Sequence, residues 1–77
     1  MKEYTEITFY PAHSDATATT VHFEGRDWDD KLEYLLYNDK AYMIVHPSPK
    51  QPNTVVIPSN YAKMCSIVIG DYYTVED

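Results

Sequence analysis

Asp27-Trp28-Asp29-Asp30-Lys31-Leu32-Glu33-Tyr34-Leu35-Leu36-Tyr37 decides the fold of this chain, because here alone the apolar residues recur with a helical period. At about 100° per residue, Trp28, Leu32, Leu35 and Leu36 fall within an arc of roughly 100°, the width of a stripe that packs on a core. Gly25 separates the segment from what precedes it, Asp27 stands at the N-cap position, and carboxylates fill the first turn, where they complement the helix dipole. Asn38 and Asp39 close it. The pattern predicts one helix from Trp28 to about Tyr37.

Outward from this helix the period changes to two. Tyr4 to Tyr10 sets Thr5, Ile7 and Phe9 against Glu6 and Thr8, a strand that Pro11 is expected to end. A turn over 11–16 leads to a second strand, Thr17 to Glu24, with Thr19, Val21 and Phe23 on one side, so the two form a hairpin. After the helix, Lys40 to His46 reads as a strand, and Pro47, Pro49 and Pro52 enforce an extended loop. Thr54 to Ile57 is a short strand stopped by Pro58, Ser59 to Lys63 a helical turn, and Ser66 to Ile69 a further strand. Gly70-Asp71 reads as a break before a last strand, Tyr72 to Val75.

The sum is a single α+β domain over residues 1–77. The expected architecture is one mostly antiparallel sheet of about four to six strands, with one main amphipathic helix packed on one face. One helix covers one face only. Ala41 to Val45 and Thr54 to Ile57 are apolar on both sides, so the second face calls for a cover from curvature, a partner or a second copy, and a homodimer is one expectation.

Composition narrows function by exclusion. A chain of 77 residues buries only about 60% of the surface its unfolded form exposes, which leaves little room for an enclosed substrate cavity. Cys65 is the single cysteine, so neither an internal disulfide nor a thiol-rich zinc site is available, and a reducing compartment fits. The start, Met1-Lys2-Glu3-Tyr4, lacks a signal pattern, and the longest apolar run, Ala41 to Val45, is too short to span a bilayer. The expectation is a soluble cytoplasmic protein without a membrane partner.

Twelve Asp and Glu against six Lys and Arg give a net charge of −6, which repels nucleic acid and anionic membranes and favours encounter with basic proteins. His22 and Glu24 lie two apart on a strand, as His13 and Asp15 would if extended, and such pairs can ligate a metal. No HExxH or paired CxxC pattern supports them, Cys65 and His46 lack a nucleophile signature, and Gly25 and Gly70 are too far apart for a phosphate cradle. The reading is therefore non-enzymatic, with no metal and no cofactor. A small metal-dependent enzyme using His13, His22 or His46 is kept as a rival.

What stands out is the arc of the helix opposite the leucines, which carries Asp29, Asp30, Glu33, Tyr34 and Tyr37. Asp29 and Glu33, four apart, repel by a few tenths of a kcal/mol. Acids in the first turn stabilise a helix by about 0.3 to 1 kcal/mol, which accounts for Asp27, Asp29 and Asp30 but not for Glu33 or the two tyrosines. Tyrosine supplies large contact area at low entropic cost, so the arc is a candidate partner-binding face. Glu24 just upstream, and Asp71, Glu76 and Asp77 near the C-terminus, are candidates to extend its charge.

A small, acidic, cysteine-poor chain with these features resembles the phage-encoded host-takeover inhibitors of the DNA-mimic type. The resemblance is of overall profile, covers the whole chain in composition, and carries no residue across from a family motif. It implies a stoichiometric inhibitor that occupies the nucleic-acid site of a basic host DNA-binding protein, with a nucleoid protein of the HU kind favoured. The main rival expectation is an inhibitor or adaptor that binds a host enzyme such as RNA polymerase through a tyrosine-rich sheet.

Overall fold

Ten consecutive residues, Lys2–Pro11, form the strand on which the rest of the chain is laid down (β1). The computed structural model describes residues 1–13, 16–51 and 53–76. After β1 come β2 (Thr19–Glu24), α1 (Trp28–Tyr37), β3 (Tyr42–Val45), β4 (Val55–Pro58), α2 (Ser59–Ala62) and β5 (Cys65–Val75). β1 is the middle strand of an antiparallel sheet ordered β2-β1-β5, and β3 pairs with β4 in a second antiparallel sheet. The protein is thus α+β and mostly antiparallel, with one main helix and one short one. Among the described residues no helix is long and apolar enough to cross a membrane.

Alternation decides which side chains meet. Thr5, Ile7 and Phe9 of β1 face inward opposite Phe23, Val21 and Thr19 of β2, and Ile69 and Ile67 of β5 lie across from Ile7 and Phe9. Met43 and Val45 of β3 and Ile57 of β4 extend this apolar surface, and Leu32 and Leu35 of α1 with Ala62 of α2 close over it. Trp28 and Leu36, the flanks of the predicted stripe, pack against the same cluster partly buried.

The expectation of a single sheet is corrected to two sheets joined at one point. The His22 N–H donates to the His46 carbonyl at 2.7 Å and the His46 N–H returns to the His22 carbonyl at 3.0 Å, the only bridge among the described residues between β2 and the β3 segment. Pro47, directly after His46, ends the strand there. On the other side Gly25, at φ 121°, turns the chain off β2 toward α1, a backbone conformation that L side chains rarely adopt.

One expected strand end holds and another is corrected. β1 stops at Pro11 as expected, with the proline itself still in register. It lies opposite Cys65, while the next N–H, of Ala12, donates to the Met64 carbonyl, so no ladder bond toward β5 needs the donor that proline lacks. Gly70-Asp71, by contrast, does not divide two strands. β5 runs through, and the pair forms a bulge: between Thr5 and Ile7 of β1, β5 advances from Tyr72 to Ile69. A side chain at Gly70 would put its Cβ 2.9 Å from the Glu6 Oε1, so the glycine makes room for Glu6 across the strand. Asp27 holds the N-cap position of α1 but its side chain makes no capping hydrogen bond.

The second face of the sheets has no helix. Tyr4, Glu6 and Thr8 project there with His22, Thr20 and Tyr73, and across the bridge with His46, Ile44, Tyr42 and Val56. Tyr4 is nonetheless only 3% exposed. The Tyr73 ring stacks on it, the His46 ring meets it edge-on, and Pro49, Lys50 and Gln51 of the proline loop stand beside it. Part of the expected cover is therefore the chain's own loop, while Tyr42, Ile44 and Val56 stay exposed.

Leu35 is 1% exposed and Tyr37 82% exposed on the same helix. Leu35→Ala is expected to cost about 2 to 5 kcal/mol in urea unfolding, and Tyr37→Ala to stay within about 0.5 kcal/mol of the parent. The reverse ranking would mean that α1 is rotated about its axis.

Candidate functional site

Helix α1 presents Asp29, Asp30, Glu33, Tyr34 and Tyr37 to solvent on the side away from Leu32 and Leu35. The Asp29 carboxylate accepts the Asp30 N–H at 3.0 Å, so it serves the free donors of the first turn. Among the described residues no basic group lies within ion-pair distance of Asp29, Asp30 or Glu33. Lys63 pairs instead with Asp39, and Arg26 with Glu3 at 3.7 Å while its guanidinium lies over the Tyr72 ring, 4.2 Å from its centre. The hydrogen bond and charge of Lys63 hold the Asp39 carboxyl below the usual carboxylate range.

The remaining acidic candidates do not join this face. Asp27 is exposed just before α1, close to Gly25. Glu24 lies across from Tyr4 and alternates with the inward Phe23, so its carboxylate projects from the face opposite the helix, near Lys2. Asp71 sits in the bulge of β5, on the far side of β1 from β2, and Glu76 follows that strand, exposed. Asp77 lies outside the described residues. The carboxylates thus form a compact group on α1 and scattered charges elsewhere.

Two features escaped the sequence reading because each is assembled from several elements. One is an aromatic cluster on the helix-free face. The Tyr73 hydroxyl and the His22 Nδ1 share a hydrogen bond with the rings edge to face, and Tyr4 joins Tyr73 to His46. Burial, then the nearby charges of Glu6 and Tyr4, push the Tyr73 phenol above its ordinary range. The alternation of His22 and Glu24 pointed to this face, but nothing local showed that His46 and Tyr73 would reach it. The other is a notch of about 310 Å³ lined by Phe23, Lys31, Tyr34, Tyr42, Met43 and Ile44.

Neither feature has the chemistry of a metal centre. Among the described residues no group of three or more His, Cys, Asp or Glu side chains converges to hold an ion. His13 is exposed and Asp15 lies outside the described residues. The Cys65 thiol donates to the Tyr61 carbonyl at 3.2 Å while the His46 Nδ1 lies 3.3 Å from the Asn53 carbonyl, so the structure does not pair that thiol with that imidazole. No protein-family model, curated protein or solved structure matches the chain.

The raised Tyr73 phenol has a defined consequence for stability. A proton held more tightly in the folded state contributes stability below the unfolded phenol value of about 10, and this is lost as pH rises through the folded value. Tyr73→Phe removes the phenol, so its urea stability is expected to fall less than the parent's between pH 9 and 11. An equal or steeper fall would exclude Tyr73 as a source of the alkaline loss.

Proposed function

We propose that this chain is a non-enzymatic protein-binding module that offers the acidic, tyrosine-bearing face of α1 to a cationic surface on a partner. The observation that carries the reading is the solvated cluster of Asp29, Asp30 and Glu33, with no ion-pair partner among the described residues, beside the exposed Tyr34 and Tyr37. Like charges on one helix face cost a little stability, and a basic partner turns that cost into attraction. Their placement on a helix anchored by Leu32 and Leu35 also limits the entropy lost on binding.

In its specific form the proposal is a stoichiometric inhibitor that takes the place of DNA on a basic host protein, with a nucleoid protein of the HU kind favoured. Proteins that grip duplex DNA expose Lys and Arg toward its phosphates, and a rigid set of carboxylates competes for the same groups. With Glu24, Asp71 and Glu76 on other surfaces, mimicry rests on the short charged face of α1. The second reading, an inhibitor or adaptor that binds an enzyme such as RNA polymerase through the sheet, draws on the exposed Tyr42, Ile44 and Val56. The two readings differ in how strongly binding depends on salt.

Replacing Asp30 by Asn and Glu33 by Gln together keeps shape and removes two charges. With purified HU as the probe, the double variant is expected to bind more than about tenfold more weakly, about 1.4 kcal/mol, and with a flatter salt slope. Folding stability is expected to change little. Unchanged affinity at low salt would move the binding surface to the sheet, and absence of binding by the parent chain would eliminate HU as the partner.

A further inference from the structure

Among the described residues, the only backbone bridge between β2 and the β3 segment is at His22 and His46, just past the end of β3, and beyond it the two strands part. In an antiparallel ladder, reciprocally bonded pairs recur every second residue, so the next pair after His22 and His46 would be Glu24 with Ile44. No bridge forms there. The same alternation assigns the remaining bonds of β3. Met43 faces Ile57 and Val45 faces Val55 across to β4, and the Ala41 carbonyl accepts the Ser59 N–H on that side. The N–H and C=O of Tyr42 and Ile44 are therefore directed toward β2, as those of Glu24 are directed toward β3.

Between these two unpaired edges lies the notch of about 310 Å³. Its floor is the edge of the core, Phe23 and Met43, and α1 closes one end with Lys31 and Tyr34. Ile44 is 55% exposed at the opening. An apolar floor flanked by open backbone donors and acceptors is what an extended peptide uses when it adds to a sheet edge: main-chain bonds hold it and one side chain seats in the pocket. The surrounding charge selects the rest of the ligand. Glu24 follows Phe23 at the end of β2 with its carboxylate on the helix-free side, where alternate residues of an added strand point, and Asp27 and Asp30 flank Lys31 and Tyr34 within one helical turn on the helix side.

We infer that this notch is a docking site for an extended segment of a partner protein, with an apolar residue that seats on Phe23 and Met43 between flanking basic residues. The segment pairs with the backbone of Ile44 and Tyr42, and its cations meet Glu24 and Asp30. Lys31 donates to a carbonyl of the incoming chain. The inference rests on reading the chain as a binding module for a basic partner, and it adds a demand that charge alone does not make: the ligand must be locally extended, with a free backbone N–H.

That demand gives the test. The 15N-labelled full chain is titrated with three capped five-residue peptides: isoleucine between two pairs of lysines, the same peptide N-methylated at isoleucine, and one with glycine in its place. The expected result is amide shifts at Glu24, Tyr42 and Ile44 with the first peptide, and affinity at least about tenfold weaker for the other two. Ile44→Pro, which deletes one open donor at an edge position that tolerates proline, should weaken the first peptide equally while the chain stays folded. Equal binding of all three peptides, with shifts confined to Asp29, Asp30 and Glu33, would overturn the notch and leave the helix-face reading standing. Binding of none of them also overturns the notch. Notch shifts that persist with weakened affinity when Asp30 and Glu33 are replaced by Asn and Gln would uphold the notch, whereas undiminished affinity in that variant would overturn the pairing of the ligand's cations with Asp30 and count against the helix face.

Discussion

The reciprocal hydrogen bonds between His22 and His46 hold this architecture together, because they are where the two sheets meet. Without them β3 and β4 would be a two-stranded ribbon, an arrangement that is marginal by itself in water. With them, Met43, Val45 and Ile57 come into line with Val21 and Phe23, and the apolar surface becomes wide enough for Leu32, Leu35 and Ala62 to cover. The bridge also sets the position of the His46 ring over Tyr4, and through Tyr4 that of Tyr73. A single pair of backbone bonds thus coordinates the core on one face with the aromatic cluster on the other.

The surface that results is divided by chemistry. Helix α1 carries two tyrosines and a cluster of carboxylates without a paired cation among the described residues, whereas the helix-free face carries histidines, threonines, apolar residues and the separated Glu6 and Glu24, with Tyr4 sheltered by the proline loop. The notch lies where the two meet, since Lys31 and Tyr34 belong to the helix and Tyr42 and Ile44 to the sheet. A partner that engages α1 by charge is therefore brought next to open backbone and exposed apolar side chains. Long-range attraction and short-range complementarity can then act in sequence on one ligand.

The helix was legible in the sequence because its leucines, its acidic first turn and its stop at Asn38 all agree, and local signals suffice when they concur. β1 and its hairpin partner β2 were legible from their alternation. The splitting of the sheet was not, since it depends on how far β2 and β3 run together before Gly25 and Pro47 divert them. Gly70-Asp71 reads locally as a turn, but pairing with β1 on both sides of it overrides that preference and leaves a bulge. Among the candidate site residues, those of α1 share a face because helical spacing alone decides it. Glu24 and Asp71 required the register of three strands, which no local pattern encodes.

The central position of β1 has a further consequence for how the protein comes into being. Its neighbour β2 follows within a few residues, but its other neighbour is β5, and Lys2 pairs with Val75. During synthesis the N-terminal hairpin must therefore wait, with one edge of β1 unpaired, until Cys65–Val75 has been made. Closure of so large a loop is a late and slow event compared with forming the hairpin or α1. The nascent chain spends that interval as an incomplete sheet with Ile7 and Phe9 only partly covered, the kind of intermediate that chaperones bind. By its strand order, the three-stranded sheet is completed only once Cys65–Val75 has emerged and paired with β1.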